Sequence, residues 1–213
     1  MKEYEFNPLF LALQTYSIDN LEWVDQVKWM LNLAPNLIYT TDPWGGTLLH
    51  HLCRLGQLSF IQELYAKHQW LLCKKDPYGY LPLAQALFHV QEHVVQWMIQ
   101  EDPKLLYEPN KEGNYPLHQA NYYEQERGPE LIKWLITFDP KQLKLCDANG
   151  LYPISLAIKL NNLGAIKHMV RMDPSLIYAT DESKQTPFHV AAACGDLEFL
   201  KELVELDRQQ KKP

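Results

Sequence analysis

A turn signature recurs down this chain at a nearly fixed interval. Asp42-Pro-Trp-Gly45, Asp76-Pro-Tyr-Gly79, Asn110-Lys-Glu-Gly113, Asp147-Ala-Asn-Gly150 and Asp181-Glu-Ser-Lys184 open segments offset by 34, 34, 37 and 34 residues. A period of roughly 20–50 residues is the mark of a repeat architecture, in which each unit buries its apolar face only by stacking on the next. A second marker runs in the same phase. Pro35, Pro103, Pro140 and Pro174 recur at intervals of 68, 37 and 34, and Tyr39, Tyr107 and Tyr178 each follow one of them by four residues. The three additional residues of the one long interval fall between Ala120 and Gly128, since Leu131 to Asp139 is again in step with Phe199 to Asp207. They read as a loop insertion within one repeat.

Each unit has the same internal order: an Asp-x-x-Gly turn, a short apolar helix, a break, and a longer amphipathic helix such as Leu197-Glu-Phe-Leu-Lys-Glu-Leu-Val204. The segment Asp181-Glu-Ser-Lys-Gln-Thr-Pro-Phe-His-Val-Ala191 closely resembles the ankyrin-repeat motif Asp-x-x-Gly-x-Thr-Pro-Leu-His-x-Ala. The other copies are more divergent. Thr47, Leu49 and His50 survive in the first, Pro82, Leu83 and Ala86 in the second, Pro116, Leu117, His118 and Ala120 in the third, and Pro153 and Ala157 in the fourth, where Ser155 replaces the motif His.

The resemblance covers about residues 7 to 207. It implies an all-α, ankyrin-repeat solenoid of stacked helix-turn-helix units joined by β-hairpin-like loops. Residues 1–40 read as a divergent capping helix pair, Asn7 to Ala12 and Leu21 to Leu33. Five repeats follow as one continuous solenoid: 41–74, 75–108, 109–145, 146–179 and 180–213. Pro at the first helical position lacks only an N–H that would be unpaired there anyway, and Ala lets neighbouring helices approach. The last repeat is the most motif-like, so either its basic tail, Arg208 to Lys212, caps the stack or further chain does.

Composition narrows the function. A net charge of −6 disfavours a surface for nucleic acid, which would need clustered Lys and Arg. No signal-peptide core or long apolar run is present, and Cys53, Cys73, Cys146 and Cys194 form no Cys-x-x-Cys pair. The expectation is a cytoplasmic protein with reduced thiols, no cofactor and no membrane insertion, monomeric when unbound. The aromatic-rich, divergent repeats are similar in style to ankyrin effectors that intracellular bacterial pathogens deliver into the host-cell cytosol. That similarity implies a host protein or another bacterial effector as partner.

With repeats filling the chain, no separate catalytic domain is expected, and neither a nucleophile elbow nor a phosphate-binding loop is present. One string invites an enzymatic reading: His89-Val-Gln-Glu-His93 matches the H-x-x-E-H pattern of a zinc-dependent hydrolase. Register argues against it, because Val90 occupies the position of Gly56 and Gly195, in the turn between two helices, so the two His lose their helical spacing. His50, His118 and His189 are read as structural, bonding backbone groups of adjacent turns.

The positions the motif leaves free, at the hairpin tips and on the open side of the inner helices, line the groove expected to bind a partner. By register these are Trp44, Arg54 and Leu55 in the first repeat and Tyr78, Tyr80, Phe88 and His89 in the second. The third supplies Lys111, Glu112, Asn114, Tyr122 and Tyr123, and the fourth Asn149, Leu151, Lys159 and Leu160. Clustered exposed aromatics with an Arg are typical anchors of a protein interface. Trp97, Trp134 and Tyr152 are expected to pack between repeats, and the insertion bearing Glu124, Glu126 and Arg127 reads either as a second contact or as a tolerated loop. Self-association through the last repeat is the other non-enzymatic reading.

Overall fold

The computed structural model describes residues 7–14, 22–122 and 128–211. The described chain is helical throughout, with one isolated antiparallel bridge, between Thr41 and Thr47. It divides into two compact units after Leu105. The first holds three helix pairs: α1 (Pro8–Gln14) with α2 (Glu22–Leu33), α3 (Leu48–Leu55) with α4 (Leu58–Lys67), and α5 (Pro82–Phe88) with α6 (Glu92–Glu101). The second holds α7 (Pro116–Ala120) with α8 (Gly128–Phe138), α9 (Pro153–Lys159) with α10 (Leu163–Met172), and α11 (Pro187–Ala193) with α12 (Leu197–Gln210). The loop between α1 and α2 and the segment carrying Tyr123, Glu124, Glu126 and Arg127 lie outside the described residues.

Every inner helix after α3 begins with proline, and the residue before it is extended: Leu81, Tyr115, Tyr152 and Thr186 have ψ between 158° and 170°. Proline both fixes its own φ for a first turn and holds its predecessor out of the helical region, so the start of each helix is set locally. Where the motif proline is Leu48, the Thr47 cap takes over this role. The break after the inner helix is a single left-handed residue: Gly56 (φ 70°), Val90 (φ 50°), Asn161 (φ 54°) and Gly195 (φ 68°). A β-branched residue is strained there. Val90→Gly is expected to stabilise by about 0.5–1 kcal/mol, the left-handed penalty of about 1–2 kcal/mol less the flexibility glycine adds to the unfolded chain. Urea unfolding would register it as a higher midpoint with an unchanged slope.

The proline-tyrosine marker proves to be a third element, a 3-10 helix after the outer α-helix of the first five pairs: Pro35–Tyr39, Gln69–Cys73, Pro103–Tyr107, Pro140–Lys144 and Pro174–Tyr178. The interval of 68 in the sequence is thus two periods, with Gln69 standing where the others have proline. The preceding Asp accepts the second N–H of this turn, Asp139 from Lys141 at 3.0 Å and Asp173 from Ser175 at 3.1 Å. The tyrosines tie successive turns together: Tyr107 donates its hydroxyl to Asp139, and Tyr178 donates to Asp207 at 2.7 Å.

The core of the first unit is aliphatic, with Leu48, Leu49, Leu52, Leu83 and Leu87 buried and Ala84 and Ala86 at the close approach of α3 and α5. In the second, Ile154, Ile158, Ile166, Met169 and Val170 are fully enclosed, and α8 packs along α10.

Candidate protein-binding surface

The hairpin tips are built by one side-chain oxygen per repeat. Asp42 Oδ1 accepts the N–H of Trp44 and of Gly46, both at 2.8 Å, and Asp76 Oδ1 accepts those of Tyr78 and Tyr80, both at 2.9 Å. Asn110 Oδ1 holds Glu112 and Asn114 at 3.0 and 2.9 Å, and Asp147 Oδ1 holds Asn149 and Leu151, both at 2.8 Å. Asx turns of this kind fix the tip by its main chain alone. At Trp44, Tyr78 and Asn149 the side chain two residues after the Asp is therefore presented without being used by the turn, whereas Glu112 takes part in its own, accepting from Asn114.

The motif histidines stitch these turns to the helices. His50 Nδ1 accepts the Thr47 N–H at 3.1 Å and lies 2.9 Å from the Thr47 hydroxyl. Its Nε2 donates to the Tyr80 carbonyl at 3.2 Å, joining the first repeat to the second. His118 Nε2 donates likewise to the Leu151 carbonyl at 3.0 Å, but with Tyr115 in place of threonine its buried Nδ1 has no partner. His50 and His118 thus hold one repeat against the next as expected, while His189 bonds, among the described residues, only Thr186 of its own repeat.

Burial holds the His50 and His118 imidazoles below their ordinary pKa, outweighing the backbone hydrogen bond that favours the cation. The unfolded chain consequently takes up more protons below about pH 6.5, so this contribution to stability is complete above that value and is lost as pH falls further. Each tenfold difference in proton affinity is worth about 1.4 kcal/mol. The melting temperature is expected to drop between pH 7.5 and 5.5, and His50→Gln to flatten part of that slope.

Beside these turns in the first unit lies a cleft of about 360 Å³, lined by Trp44, Arg54, Tyr78, Tyr80, Gln85 and Phe88 together with Asp42, Gly46, His50, His51 and Asp76. Five of the sequence-predicted residues therefore come together. Trp44 and Tyr78 are 67% and 61% exposed, flanking the opening from the tips. Tyr80 and Phe88 are half-buried and meet edge to face with ring centroids 5.5 Å apart, so they form a wall and are not free anchors. Leu55 is half-buried and His89 exposed, and neither lines the cleft.

In the second unit the predicted residues differ in exposure. Tyr122, Lys111, Glu112, Asn149 and Lys159 are exposed. Lys159 is engaged by Glu182 at 3.2 Å. Asn114 is buried within its turn, donating to Glu112 at 3.1 Å, and Leu151 is half-buried with its carbonyl taken by His118. Asn114 therefore does not stand at the surface: Glu112 accepts from its side-chain amide, and Gln119 donates to its carbonyl at 2.7 Å. Tyr123 lies outside the described residues.

Of the rings expected to pack between repeats, Trp97 on α6 meets Tyr65 on α4 edge to face at 5.3 Å, whereas Trp134 stacks at 5.4 Å on Phe138, one turn along its own helix. Tyr152 differs: it precedes the α9 proline in extended backbone and is 46% exposed. The sequence reading also passed over the Asp42–His51 pair, at 2.7 Å, inside the cleft. Its signal was the doubled histidine at 50 and 51, of which the motif uses only one.

The His89–His93 string straddles a bend, as register required. α5 ends at Phe88, Val90 is left-handed, α6 begins at Glu92, and His93 Nε2 donates to the Gly56 carbonyl at 3.0 Å. No group of three or more His, Cys, Asp or Glu is placed to hold a metal among the described residues. Among them too, no helix is long and apolar enough to cross a membrane.

No curated protein matches the chain. Residues 117–212 match the family model of ankyrin repeats, in three copies, and ankyrin repeats serve generally as protein–protein interaction modules. The turn, histidine and helix-pair geometry of the first unit repeats that of the matched segment, so that the fold is an all-α ankyrin-repeat solenoid.

Proposed function

We propose that this protein binds a partner protein, as an adaptor or inhibitor, through the aromatic cleft of its first unit, with Tyr122 and the tips of the second unit as further contacts. The observation that carries this reading is the pairing of two highly exposed rings, Trp44 and Tyr78, on turns that make no structural use of their side chains. Exposed Trp and Tyr beside a half-buried Arg are the residues that dominate binding energy at interfaces. The finer reading, drawn from the style of the repeats, makes the partner a host protein or another bacterial effector.

Trp44→Ala with Tyr78→Ala is the variant of choice, since Tyr80 is a packing residue whose loss would perturb the fold. Co-purification from eukaryotic and bacterial lysates, read by mass spectrometry, is expected to recover a partner with the wild type and to lose it with the variant, at an unchanged melting temperature. Equal recovery by both proteins would place binding elsewhere. A purified partner should lose about 2–4 kcal/mol of affinity, a 30-fold effect or more.

A further inference from the structure

Arg54 is the one Lys or Arg that lines the cleft, and no carboxylate among the described residues pairs with it. Of the acids beside it, Asp42 gives one oxygen to two backbone N–H groups and the other to His51, while Asp76 Oδ1 takes two backbone N–H groups. The Arg54 guanidinium has neither an ion pair nor a side-chain hydrogen bond among the described residues, although the residue is half-buried and lines the same cleft as the aromatic rings. Burial is what chiefly lowers the proton affinity of His51 and His89, and the Arg54 charge adds to it at both, against the opposing Asp42 at His51, which places the guanidinium within electrostatic reach of each ring.

The second unit shows what a cation in this position pairs with. Lys159 stands in the same register as Arg54, three periods on, and its ammonium is held by Glu182, in the hairpin that follows. Glu182 lies 23 residues after Lys159, and the residue 23 after Arg54 is Pro77, which has no charge to offer. The carboxylate supplied within the chain in the second unit is missing from the first.

We propose that the partner supplies it: the cleft accepts an extended acidic peptide segment whose Asp or Glu pairs with Arg54 and whose neighbouring aromatic or aliphatic side chain lies among Trp44, Tyr78, Tyr80 and Phe88. Arginine presents a planar fork of donors that matches a carboxylate at two points, and a partly desolvated pair is stronger than one in open water. This inference deepens the cleft-binding reading and rests on it.

The test pans a random linear peptide library displayed on phage against four proteins: wild type, Trp44→Ala/Tyr78→Ala, Arg54→Glu and Pro77→Glu, each checked for an unchanged melt. The wild type is expected to enrich peptides with Asp or Glu at a fixed spacing from a large apolar residue. A synthetic peptide of that consensus should bind Arg54→Glu at least 10-fold more weakly, and panning on Arg54→Glu should replace the acid by Lys or Arg. Pro77→Glu, which places a carboxylate where Glu182 serves Lys159, should weaken the same peptide at least several-fold.

Arg54→Gln, nearly isosteric along its stem, gives the same readout without charge reversal if Arg54→Glu fails to fold. A wild-type consensus that depends on Trp44 and Tyr78 but lacks an acid, or that Arg54→Glu and Arg54→Gln bind within 2-fold of wild type, overturns the acidic-segment proposal while sparing the cleft. Peptides enriched equally by wild type and Trp44→Ala/Tyr78→Ala, or no enrichment at all, overturn both.

Discussion

Replacing Gly113 with alanine is expected to cost about 2–5 kcal/mol, while the same change at Gly150, at the same position of the next repeat, costs about 1–2 kcal/mol. Both glycines have φ of 79°, so both pay the left-handed penalty of about 1–2 kcal/mol that any side chain incurs there. Their surroundings differ. A Cβ on Gly113 would stand 2.3 Å from the backbone nitrogen of Ala148, whereas one on Gly150 would meet nothing within 4 Å. Ala148 N–H donates to the Glu112 carbonyl at 3.3 Å, so consecutive hairpin tips are bonded main chain to main chain at this point. An inserted methyl cannot rotate away from a backbone atom and must push the two turns apart, adding an overpacking cost of about 1–3 kcal/mol. Denaturant titration of the two variants side by side separates the terms. Equal losses would mean that the tips do not stack as closely as described.

The second large effect is at a histidine. His50→Ala should destabilise by about 3–5 kcal/mol, and His189→Ala by about 1 kcal/mol, although both rings make the same contact with the preceding threonine. His189 Nδ1 accepts the Thr186 N–H at 3.1 Å and lies 2.8 Å from its hydroxyl, but the ring is exposed, and water replaces it readily. His50 is 3% exposed and also bonds the Tyr80 carbonyl. Its removal strands a buried N–H and a partly buried carbonyl, at about 1–3 kcal/mol each for groups deprived of their partners. The loss of the cap itself contributes about 0.5–2 kcal/mol. Thermal and urea unfolding of the two alanine variants would check the ratio. A His189 effect as large as that of His50 would locate the stabilisation in the cap and not in the bond between repeats.

These contrasts also mark what the sequence made legible. The repeat period, the Asx turns, the helix pairs and the left-handed break that separates His89 from His93 were all readable, because each rests on a local rule that two or three residues satisfy by themselves. The cleft was legible in part. Trp44, Arg54, Tyr78, Tyr80 and Phe88 were placed on one side by register alone, and the structure brings them together. Register could not show that Tyr80 lies against Phe88 or that Asn114 turns inward, since those outcomes depend on neighbours in space. The pairing of Lys159 with Glu182 was hidden for the same reason: each residue looks like ordinary solvated charge until the following hairpin is set beside the helix. The 3-10 helix escaped because its signal, a proline and a tyrosine four apart, is too sparse for a periodicity argument, and in Gln69–Cys73 both marker residues are absent.

The turns that hold Trp44, Tyr78, Glu112 and Asn149 by their main-chain N–H groups have a consequence for how such a surface changes over time. Since Asp42, Asp76 and Asp147 stabilise the backbone whatever side chain stands two residues on, mutations at Trp44, Tyr78 and Asn149 alter what the protein recognises almost independently of whether it folds, whereas Glu112 also holds the buried Asn114. Selection can therefore exchange one partner for another through single substitutions that leave the scaffold's stability nearly unchanged, and a randomised library confined to these three tips should contain mostly folded members.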